Sequence, residues 1–382
     1  MKCKILLLGI LAFLTVRFGY STVFTVDNDG LVNVPNSLNW ALKQVNDSPG
    51  PHTINFSIAG EFAVRLLDPL KGDITIDGST APGYSCGNPV VGFKGINPFS
   101  TNVFLHLDGD RNEIRGIAFY ADAGKAFLMT IKGDENKVYG CSFYMSIDGS
   151  TPIDNPNPYG RLEIAGNNNV FGADNDCDRN YLAAAMKSGI WIDKGYGNQV
   201  VGNYVGTDRT GTITMGTYNN EGVCIEAQGI TGLGTVISNN ITVGAKGSIG
   251  IGIRIMTCTG KVVVRENLVG VGKDYSVLKN SFVGINIRGG SGHEVIGNVS
   301  GGNGLAGQFS HGISSEGGAT NLIIEGNYVG VSPDGDNIAN GHSGIEVNAG
   351  SDVEIVGNYV GFNKISRAGE IGGGVAVVDL PV

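Results

Sequence analysis

A short phrase recurs along this chain, in which a glycine is followed by alternating apolar and polar residues. It occurs as GIWID, GVCIE, GIRIM, GINIR, GISSE and GIEVN. In a strand with one buried face, the residues two and four positions after the glycine point outward. Those positions hold Trp191 and Asp193, Cys224 and Glu226, Arg254 and Met256, Asn286 and Arg288, Ser314 and Glu316, and Glu346 and Asn348. One face would therefore carry an aromatic side chain, acids, two arginines, and acids again.

This succession of side chains suits a polysaccharide that contains carboxylates. Arg254 and Arg288 would bind uronate carboxylates and stabilise the enolate-like intermediate formed when a proton leaves the neighbouring carbon. Glu226 and Glu316 are the candidates for proton transfer, and Trp191 would stack on a sugar ring. Further candidates for substrate binding are Asp193, Asn286, Glu346 and Asn348. The alternative is a solvated sheet whose opposite charges compensate one another from strand to strand.

Two further groups of residues could bind ligands. His311 and His342 precede the glycines of successive repeats, so adjacent strands would bring the imidazoles together, unless they are only polar residues at strand starts. Asp174, Asp176 and Asp178 have the alternate spacing of an EF-hand loop. Because Arg179 and Ala185 replace the glycine and the glutamate of that motif, the prediction that remains is a looser calcium site, and no other cofactor is indicated.

The elements that would position these residues follow from a second repeat, of the form GN. Its asparagines are Asn203, Asn240, Asn267, Asn298, Asn327 and Asn358. Successive asparagines are roughly 30 residues apart, and a repeat of this length indicates a solenoid. The β-branched runs before each asparagine favour strands over helices. Each repeat would hold two strands, an asparagine turn and a short third strand. The predicted fold is all-β: a parallel β-helix of about ten coils in which stacked asparagines bond from coil to coil.

The N-terminal part follows the same pattern less closely. Its earlier coils place Ile117, Cys141 and Ala173 where the later coils have asparagine. Before them, Asn36 is predicted to cap an amphipathic helix that covers the end of the solenoid. The apolar face of this helix would consist of Leu38, Ala41, Leu42 and Val45.

The repeat pattern resembles the right-handed parallel β-helix repeats of the pectate-lyase-like superfamily. The segments SLNWALKQVNDSPGPHTINF, ITIDGSTAPGY and GNYVGTDRTGT are similar to a functionally uncharacterised subgroup of secreted, bacterial-type β-helix proteins. The resemblance implies the fold over nearly the whole chain. It implies little about activity, although many β-helix lyases and epimerases have their sites on the first-strand face. The segment SHGIS resembles polygalacturonases, but the paired aspartates of that family are missing.

Composition and charge limit which domains and which binding partners the chain can have. Residues 1–21 read as a signal peptide, residues 22–100 as the N-terminal cap and first coils, and residues 101–382 as the β-helix. The formal net charge of -9 becomes -12 when Lys2, Lys4 and Arg17 leave with the signal, which argues against nucleic acid as a partner. No later apolar run predicts a membrane span. Five remaining cysteines allow one or two disulfides with at least one thiol left over.

The resulting hypothesis is a secreted, extracellular protein that binds or processes a polysaccharide, lyase- or epimerase-like if it is an enzyme. The alternative is a non-catalytic structural or adhesive surface protein. The final segment, GGGVAVVDLPV, reads as a strand with an unpaired edge. We therefore also expect further sequence, a second copy or another partner at that end.

Overall fold

The protein folds as a parallel β-helix in which almost every element is a strand. The computed structural model describes residues 21–30, 34–48, 50–64, 68–95, 105–121, 129–153, 162–183, 188–215, 222–246, 249–304, 310–363 and 374–378. The predicted signal peptide lies outside these residues except for its last position. Within them are 34 strands, one α-helix and one 3₁₀ turn (Gly78–Thr80). The predicted fold class, a right-handed parallel β-helix, is confirmed.

Along the chain the strands recur in groups of three, one for each of three sheets. The first are β1 (Thr22–Val26), α1 (Leu38–Asp47), β2 (His52–Phe56), β3 (Gly60–Val64), β4 (Leu70–Gly72), β5 (Ile74–Asp77), β6 (Val91–Gly95), β7 (Leu105–Asp110), β8 (Glu113–Arg115), β9 (Ile117–Ala121), β10 (Met129–Ile131), β11 (Lys137–Tyr139) and β12 (Ser142–Phe143). The middle strands are β13 (Leu162–Ile164), β14 (Val170–Phe171), β15 (Tyr181–Leu182), β16 (Ser188–Asp193), β17 (Gln199–Val201), β18 (Tyr204–Val205), β19 (Val223–Gln228), β20 (Thr235–Ser238), β21 (Ile241–Thr242), β22 (Ile251–Met256), β23 (Val262–Arg265) and β24 (Leu268–Val269). The last are β25 (Val283–Arg288), β26 (Glu294–Ile296), β27 (Val299–Ser300), β28 (Ile313–Glu316), β29 (Ala319–Glu325), β30 (Tyr328–Val329), β31 (Ile345–Asn348), β32 (Gly350–Val356), β33 (Tyr359–Val360) and β34 (Val375–Val378).

Three parallel sheets run the length of the solenoid, and each coil contributes one strand to each sheet. Sheet 1 has the order β4-β7-β10-β13-β16-β19-β22-β25-β28-β31-β34. Sheet 2 has the order β1-β2-β5-β8-β11-β14-β17-β20-β23-β26-β29-β32, and sheet 3 the order β3-β6-β9-β12-β15-β18-β21-β24-β27-β30-β33. The described part of the chain thus has eleven strands in sheets 1 and 3 and twelve in sheet 2, against the predicted ten coils or so. Neighbouring strands lie about 4.8 Å apart.

The core fills the space between the three sheets with aligned apolar side chains. Isoleucines at equivalent positions of β16, β22 and β25 are fully buried: Ile190, Ile192, Ile253, Ile255, Ile285 and Ile287. In the N-terminal half the other two sheets contribute a row of phenylalanines, and the ring centroids of Phe93, Phe119, Phe143 and Phe171 follow one another at 5.5, 5.2 and 5.7 Å. Because each coil repeats the same inward positions, like side chains stack on like.

The predicted asparagine ladder is present. The side-chain Nδ2 of Asn203 donates to Oδ1 of Asn240 at 3.0 Å, and the same bond links each later pair as far as Asn358. One earlier position was wrong: Asn180, and not Ala173, precedes the third-sheet strand of its coil, and its Oδ1 accepts from the backbone N–H of Cys141. The sequence offset arises because residues 172–180 form an additional loop before β15.

Two further asparagine rows were missed by the sequence analysis. One lies between sheets 1 and 2 and contains Asn112, Asn136, Asn169 and Asn198. The other lies between sheets 3 and 1 and contains Asn280, Asn303, Asn340 and Asn363. Buried asparagines therefore stabilise all three corners of the coil.

The N-terminal helix is α1, and its buried face is the predicted one, with Leu38, Ala41, Leu42 and Val45 in the core. Its cap was misplaced by one residue. Ser37 is the N-cap, and its side chain accepts from the Trp40 N–H, whereas Asn36 has a positive φ of 63°. The helix contacts β1, β2 and β4, so it covers the N-terminal end of sheets 1 and 2.

The described cysteines form one disulfide and leave three free thiols, within the range that the sequence analysis allowed. Cys86 is bonded to Cys177, and this bond joins two loops that are 91 residues apart in sequence. Cys141, Cys224 and Cys258 are free and buried. Burial raises the pKa of the Cys141 thiol to about 12, so this side chain packs as a small apolar group and is not a nucleophile.

Candidate functional site

The outer face of sheet 1 aligns the predicted site residues on successive strands. Trp191, Glu226, Arg254 and Asn286 occupy one position on β16, β19, β22 and β25. Ser314 and Glu346 continue this row on β28 and β31. We call these six residues the central row. A neighbouring row, two residues further along each strand, contains Asp193, Gln228, Met256, Arg288 and Glu316.

One strand differs from the sequence-based alignment by two residues. The prediction placed Cys224 beside Trp191 and Glu226 beside Asp193, with Cys224 pointing outward. In the structure Glu226 pairs with Trp191, and the Cys224 side chain is buried in the core with Sγ 3.4 Å from the Val243 carbonyl oxygen. The glycine of GVCIE is thus not equivalent to the other phrase glycines. Glu226 consequently joins the central row.

Glu226 and Arg254 form a partly buried ion pair across two strands. Arg254 Nη2 donates to Glu226 Oε1 at 2.9 Å. The exposed fractions are 13 % for the arginine side chain and 5 % for the glutamate side chain. At this burial the two charges require each other, because either one alone would lose most of its hydration. Arg254 is therefore already paired with a carboxylate of the protein itself.

The next two coils, those of β25 and β28, carry a second polar cluster. Asn286 Nδ2 donates to both Ser314 Oγ and Glu316 Oε1, each at 2.7 Å. Arg288 Nε lies 3.9 Å from Glu316 Oε2, and the side chain of Arg288 is 52 % exposed. Arg288 is the more accessible arginine of the pair predicted to bind carboxylates.

The remaining predicted residues flank these clusters. The half-buried Trp191 lies between Glu163 and Glu226 in the strand register. Asp193 has Oδ2 3.8 Å from Lys194 Nζ. At the other end of the central row, Asn348 Nδ2 donates to Glu346 Oε1 at 2.6 Å. The structure thus brings all of the predicted catalytic and substrate-binding residues to one face.

The two histidines also meet, as the sequence predicted, and they meet beside a carboxylate. The ring centroids of His311 and His342 are 5.2 Å apart with the rings nearly perpendicular. His311 Nδ1 lies 3.1 Å from Glu346 Oε2. The sequence did not indicate the proximity of Glu346, since it depends on side-chain direction and not on strand spacing alone.

The predicted calcium ligands face arginines. Asp174 and Asp176 lie 3.8 and 3.6 Å from Arg179 Nη2. Asp178 Oδ1 accepts from Arg115 Nη1 at 2.6 Å, so its carboxylate is directed to a different cation. Calcium binding by these three carboxylates would require both arginine contacts to give way.

A cavity of about 540 Å³ opens at the corner between sheets 3 and 1, close to the start of β22 and β25. Its lining includes Lys246, Lys279, Thr214 and Ser281. Neither lysine was singled out from the sequence, because the loops that hold them do not follow the strand periodicity. This corner adds two cationic side chains to the vicinity of the first-strand face.

No protein-family profile matches the chain, and no curated protein matches it. Among solved structures, the mannuronan C-5 epimerase AlgE6 A-module of Azotobacter vinelandii aligns with a TM-score of 0.53 at 13 % identity, over 94 % of this chain and 98 % of that one. The AlgE4 A-module of the same organism has a TM-score of 0.47 at 11 % identity, over 90 % and 100 %. The Streptococcus pneumoniae surface protein and adhesin PfbA has a TM-score of 0.47 at 10 % identity, over 94 % and 100 %.

The likeness to the AlgE6 A-module establishes the fold, a parallel β-helix over nearly the whole chain. The predicted resemblance to right-handed parallel β-helix proteins is thereby confirmed. Within the described residues, no helix has the length and apolar character needed to cross a membrane.

Proposed function

We propose that the protein is secreted and binds or processes a polysaccharide along the outer face of sheet 1. The observation that carries this proposal is the strand register, which aligns Trp191, Glu226, Arg254 and Asn286 on four consecutive strands. An extended sugar chain that lay along the solenoid, with its steps of about 4.8 Å, would contact the partly exposed Trp191 and Arg254. The buried Glu226 and Asn286 hold Arg254 and Glu316 in place. The name of the AlgE6 structure, a mannuronan C-5 epimerase, is consistent with such a ligand.

Within this face, the neighbouring coils of Arg288 and Glu316 offer the chemistry of a lyase or an epimerase. Arg288 is exposed and would bind a uronate carboxylate, which lowers the energy of the carbanion formed beside it. Glu316 would exchange the proton, with its carboxylate oriented by Asn286. The Arg254–Glu226 pair would contribute hydrogen bonds to the sugar hydroxyls, and Trp191 an apolar platform for a ring.

The charge of the substrate follows from the surroundings of the face. The chain as a whole is acidic, so it does not attract a polyanion by its net charge. Local cations are needed, and Arg288 supplies one on the face while Lys246 and Lys279 line the cavity beside it. We therefore propose an acidic polysaccharide, bound with a strong dependence on salt.

A structural or adhesive role is the second candidate, and one observation favours it. Arg254 and Glu226 are already paired, and Glu316 already has contacts with Asn286 and Arg288. Self-compensation of this kind is expected for a sheet face that only needs to be stable.

The deciding experiment is incubation of the chain from Thr22 onward with pectate, alginate and glycosaminoglycans, with and without calcium. Ultraviolet absorbance detects unsaturated sugars from a lyase, incorporation of deuterium from heavy water detects an epimerase, and sedimentation detects binding alone. The test variant is Arg288→Ala. The matched control is Arg265→Ala, which removes an exposed arginine from sheet 2.

The proposed function predicts that Arg288→Ala loses turnover or binding while Arg265→Ala retains it. Turnover would assign the face to an enzyme, and binding without turnover would assign it to a carbohydrate-binding protein. If the folded chain neither binds nor alters any polymer of the panel, the structural alternative replaces the proposal.

A further inference from the structure

A row of apolar residues at the start of the sheet 1 strands becomes polar at the coil of β28 and stays polar at the next, where it holds Ser343. Val223, Ile251 and Val283 are aligned on β19, β22 and β25 and are buried, with the partly buried Ile249 and Phe282 packed against them. The Gly284 N–H donates to the His311 carbonyl oxygen, so the register places His311 after Val283 in this row. A histidine that replaces a buried aliphatic residue in a repeat must find a polar partner.

The partners of His311 are a second histidine and a carboxylate. One ligand atom each from His311, His342 and Glu346 can be chosen so that all three lie within 4.8 Å of one another. The measured separations are 3.1 Å from Glu346 Oε2 to His311 Nδ1 and 4.0 Å to His342 Nδ1. In the described part of the chain, this is the group of three such side chains that comes close enough to share a metal ion.

The contact between His311 and Glu346 lacks the geometry of a hydrogen bond. His311 Nδ1 is buried and has no hydrogen-bond partner, although the carboxylate oxygen is only 3.1 Å away. With the ring proton on Nε2, the Nδ1 lone pair of His311 faces the carboxylate oxygen, and a cation between these two electron-pair donors makes the contact attractive.

We propose that His311, His342 and Glu346 form a binding site for a divalent transition-metal ion, for which Zn²⁺ is the probe. Imidazole and carboxylate are standard zinc ligands, and bonds of about 2.0–2.2 Å in tetrahedral geometry place ligand atoms roughly 3.3–3.5 Å apart. The 3.1 Å between Glu346 Oε2 and His311 Nδ1 lies just below this range, and rotation of the His342 side chain would bring its Nε2 to the same ion. Three protein ligands leave at least one coordination position open for water or another ligand.

The surroundings orient the three ligands. Ser343 Oγ donates to Glu346 Oε2 at 3.3 Å and can therefore only accept from His342 Nδ1–H at 2.9 Å, which leaves Nε2 as the ligand atom of His342. Asn348 donates to the other oxygen of the same carboxylate. Hydrogen bonds of this kind fix the rotamers of metal ligands and raise affinity. The site does not depend on the proposed polysaccharide function, although it lies at one end of the same face.

The test is direct metal binding by the tag-free chain from Thr22 onward after treatment with a chelator. Calorimetric titration with Zn²⁺ should give one site per chain, and Co²⁺ should produce the intense visible absorption of a four-coordinate ion. Zn²⁺ binding at other sites should be low because the chain contains only five histidines. Glu346→Gln and His342→Asn should each weaken Zn²⁺ binding by about 100-fold or more, since loss of a mere orienting partner costs 10–100-fold.

The matched control is His106→Asn, because His106 is a half-buried histidine on the same sheet whose Nδ1 is bonded to Thr130. This variant should bind Zn²⁺ like the unaltered chain. Ser343→Ala retains all three ligands and should weaken binding by about 10–100-fold, which tests the site even if a ligand variant fails to fold. The proposal is overturned if the folded, unaltered chain binds no Zn²⁺, or if Glu346→Gln and Ser343→Ala bind it unchanged.

Discussion

Arg254 on β22 and Glu226 on β19 are joined by a 2.9 Å contact, although 28 residues of sequence separate them. We expect Glu226→Gln to lower the free energy of unfolding by about 2–4 kcal/mol, because it leaves a partly buried guanidinium without a counter-charge. Chemical denaturation measures the loss.

The control for this variant is an exposed pair. Asp73→Asn removes the partner of Arg111, and these side chains are 42 % and 55 % exposed, so the loss should stay below about 1 kcal/mol. Similar losses for both variants would mean that the Arg254–Glu226 pair is not shielded from solvent.

A second prediction concerns the asparagine ladder. Asn267 bonds to Asn240 on one side and to Asn298 on the other and is fully buried. Asn267→Ala should cost about 3 kcal/mol or more, since it leaves several buried polar groups without partners. Asn358→Ala, at a half-buried position with one such neighbour, should cost about 1 kcal/mol. The comparison fails if both substitutions have equal effects in denaturation.

A third prediction concerns the thiols of the chain that starts at Thr22. Cys141, Cys224 and Cys258 are buried, and burial raises the pKa of each. A thiol reagent at pH 8 should therefore modify none of them in the native protein. Without a reductant it should modify three on denaturation, and after reduction it should modify five, because the Cys86–Cys177 bond then opens. A thiol that reacts in the native protein would contradict the burial.

A fourth prediction concerns pH. His293 is fully buried, its Nδ1 accepts from the Val262 N–H, and burial lowers its pKa from the ordinary value of 6.5. The unfolded chain then binds a proton before the folded one does, so stability is unaffected above about pH 6.5 and falls as the pH drops below it. His293→Gln should reduce this dependence between pH 7 and 5, as followed by denaturation. An unchanged slope would assign the effect to other groups, with His106 and His311 the next to test.

The fold could be predicted because the chain repeats itself. Asn203 and the five later asparagines share a phrase, and a phrase repeated at regular intervals specifies both the corner and its partner on the next coil. The prediction failed where a coil departs from that length. The loop before Asn180 moved the ladder position away from Ala173, and the strand of Cys224 was aligned two residues out of register.

The candidate site was predictable only as far as strand alternation determines it. Alternation predicted that Arg254 and Arg288 point outward from sheet 1. It did not predict that Arg254 is paired with Glu226, because that contact also requires the correct register. The contact of Glu346 with His311 depends on side-chain rotamers, which a pattern of residue types does not specify.

The asparagine rows also give the solenoid an electrical direction. In the rows of Asn203 and Asn280 the Nδ2 of each residue points to the Oδ1 of the next coil towards the C-terminus, as from Asn203 to Asn240 and from Asn280 to Asn303. The amide dipoles therefore add along the axis, as peptide dipoles do in an α-helix, whereas the strands of the sheets contribute little. An anion is accordingly favoured towards the C-terminal coils and a cation towards the N-terminal ones, so a charged polymer on the surface would distinguish the two directions of the rod.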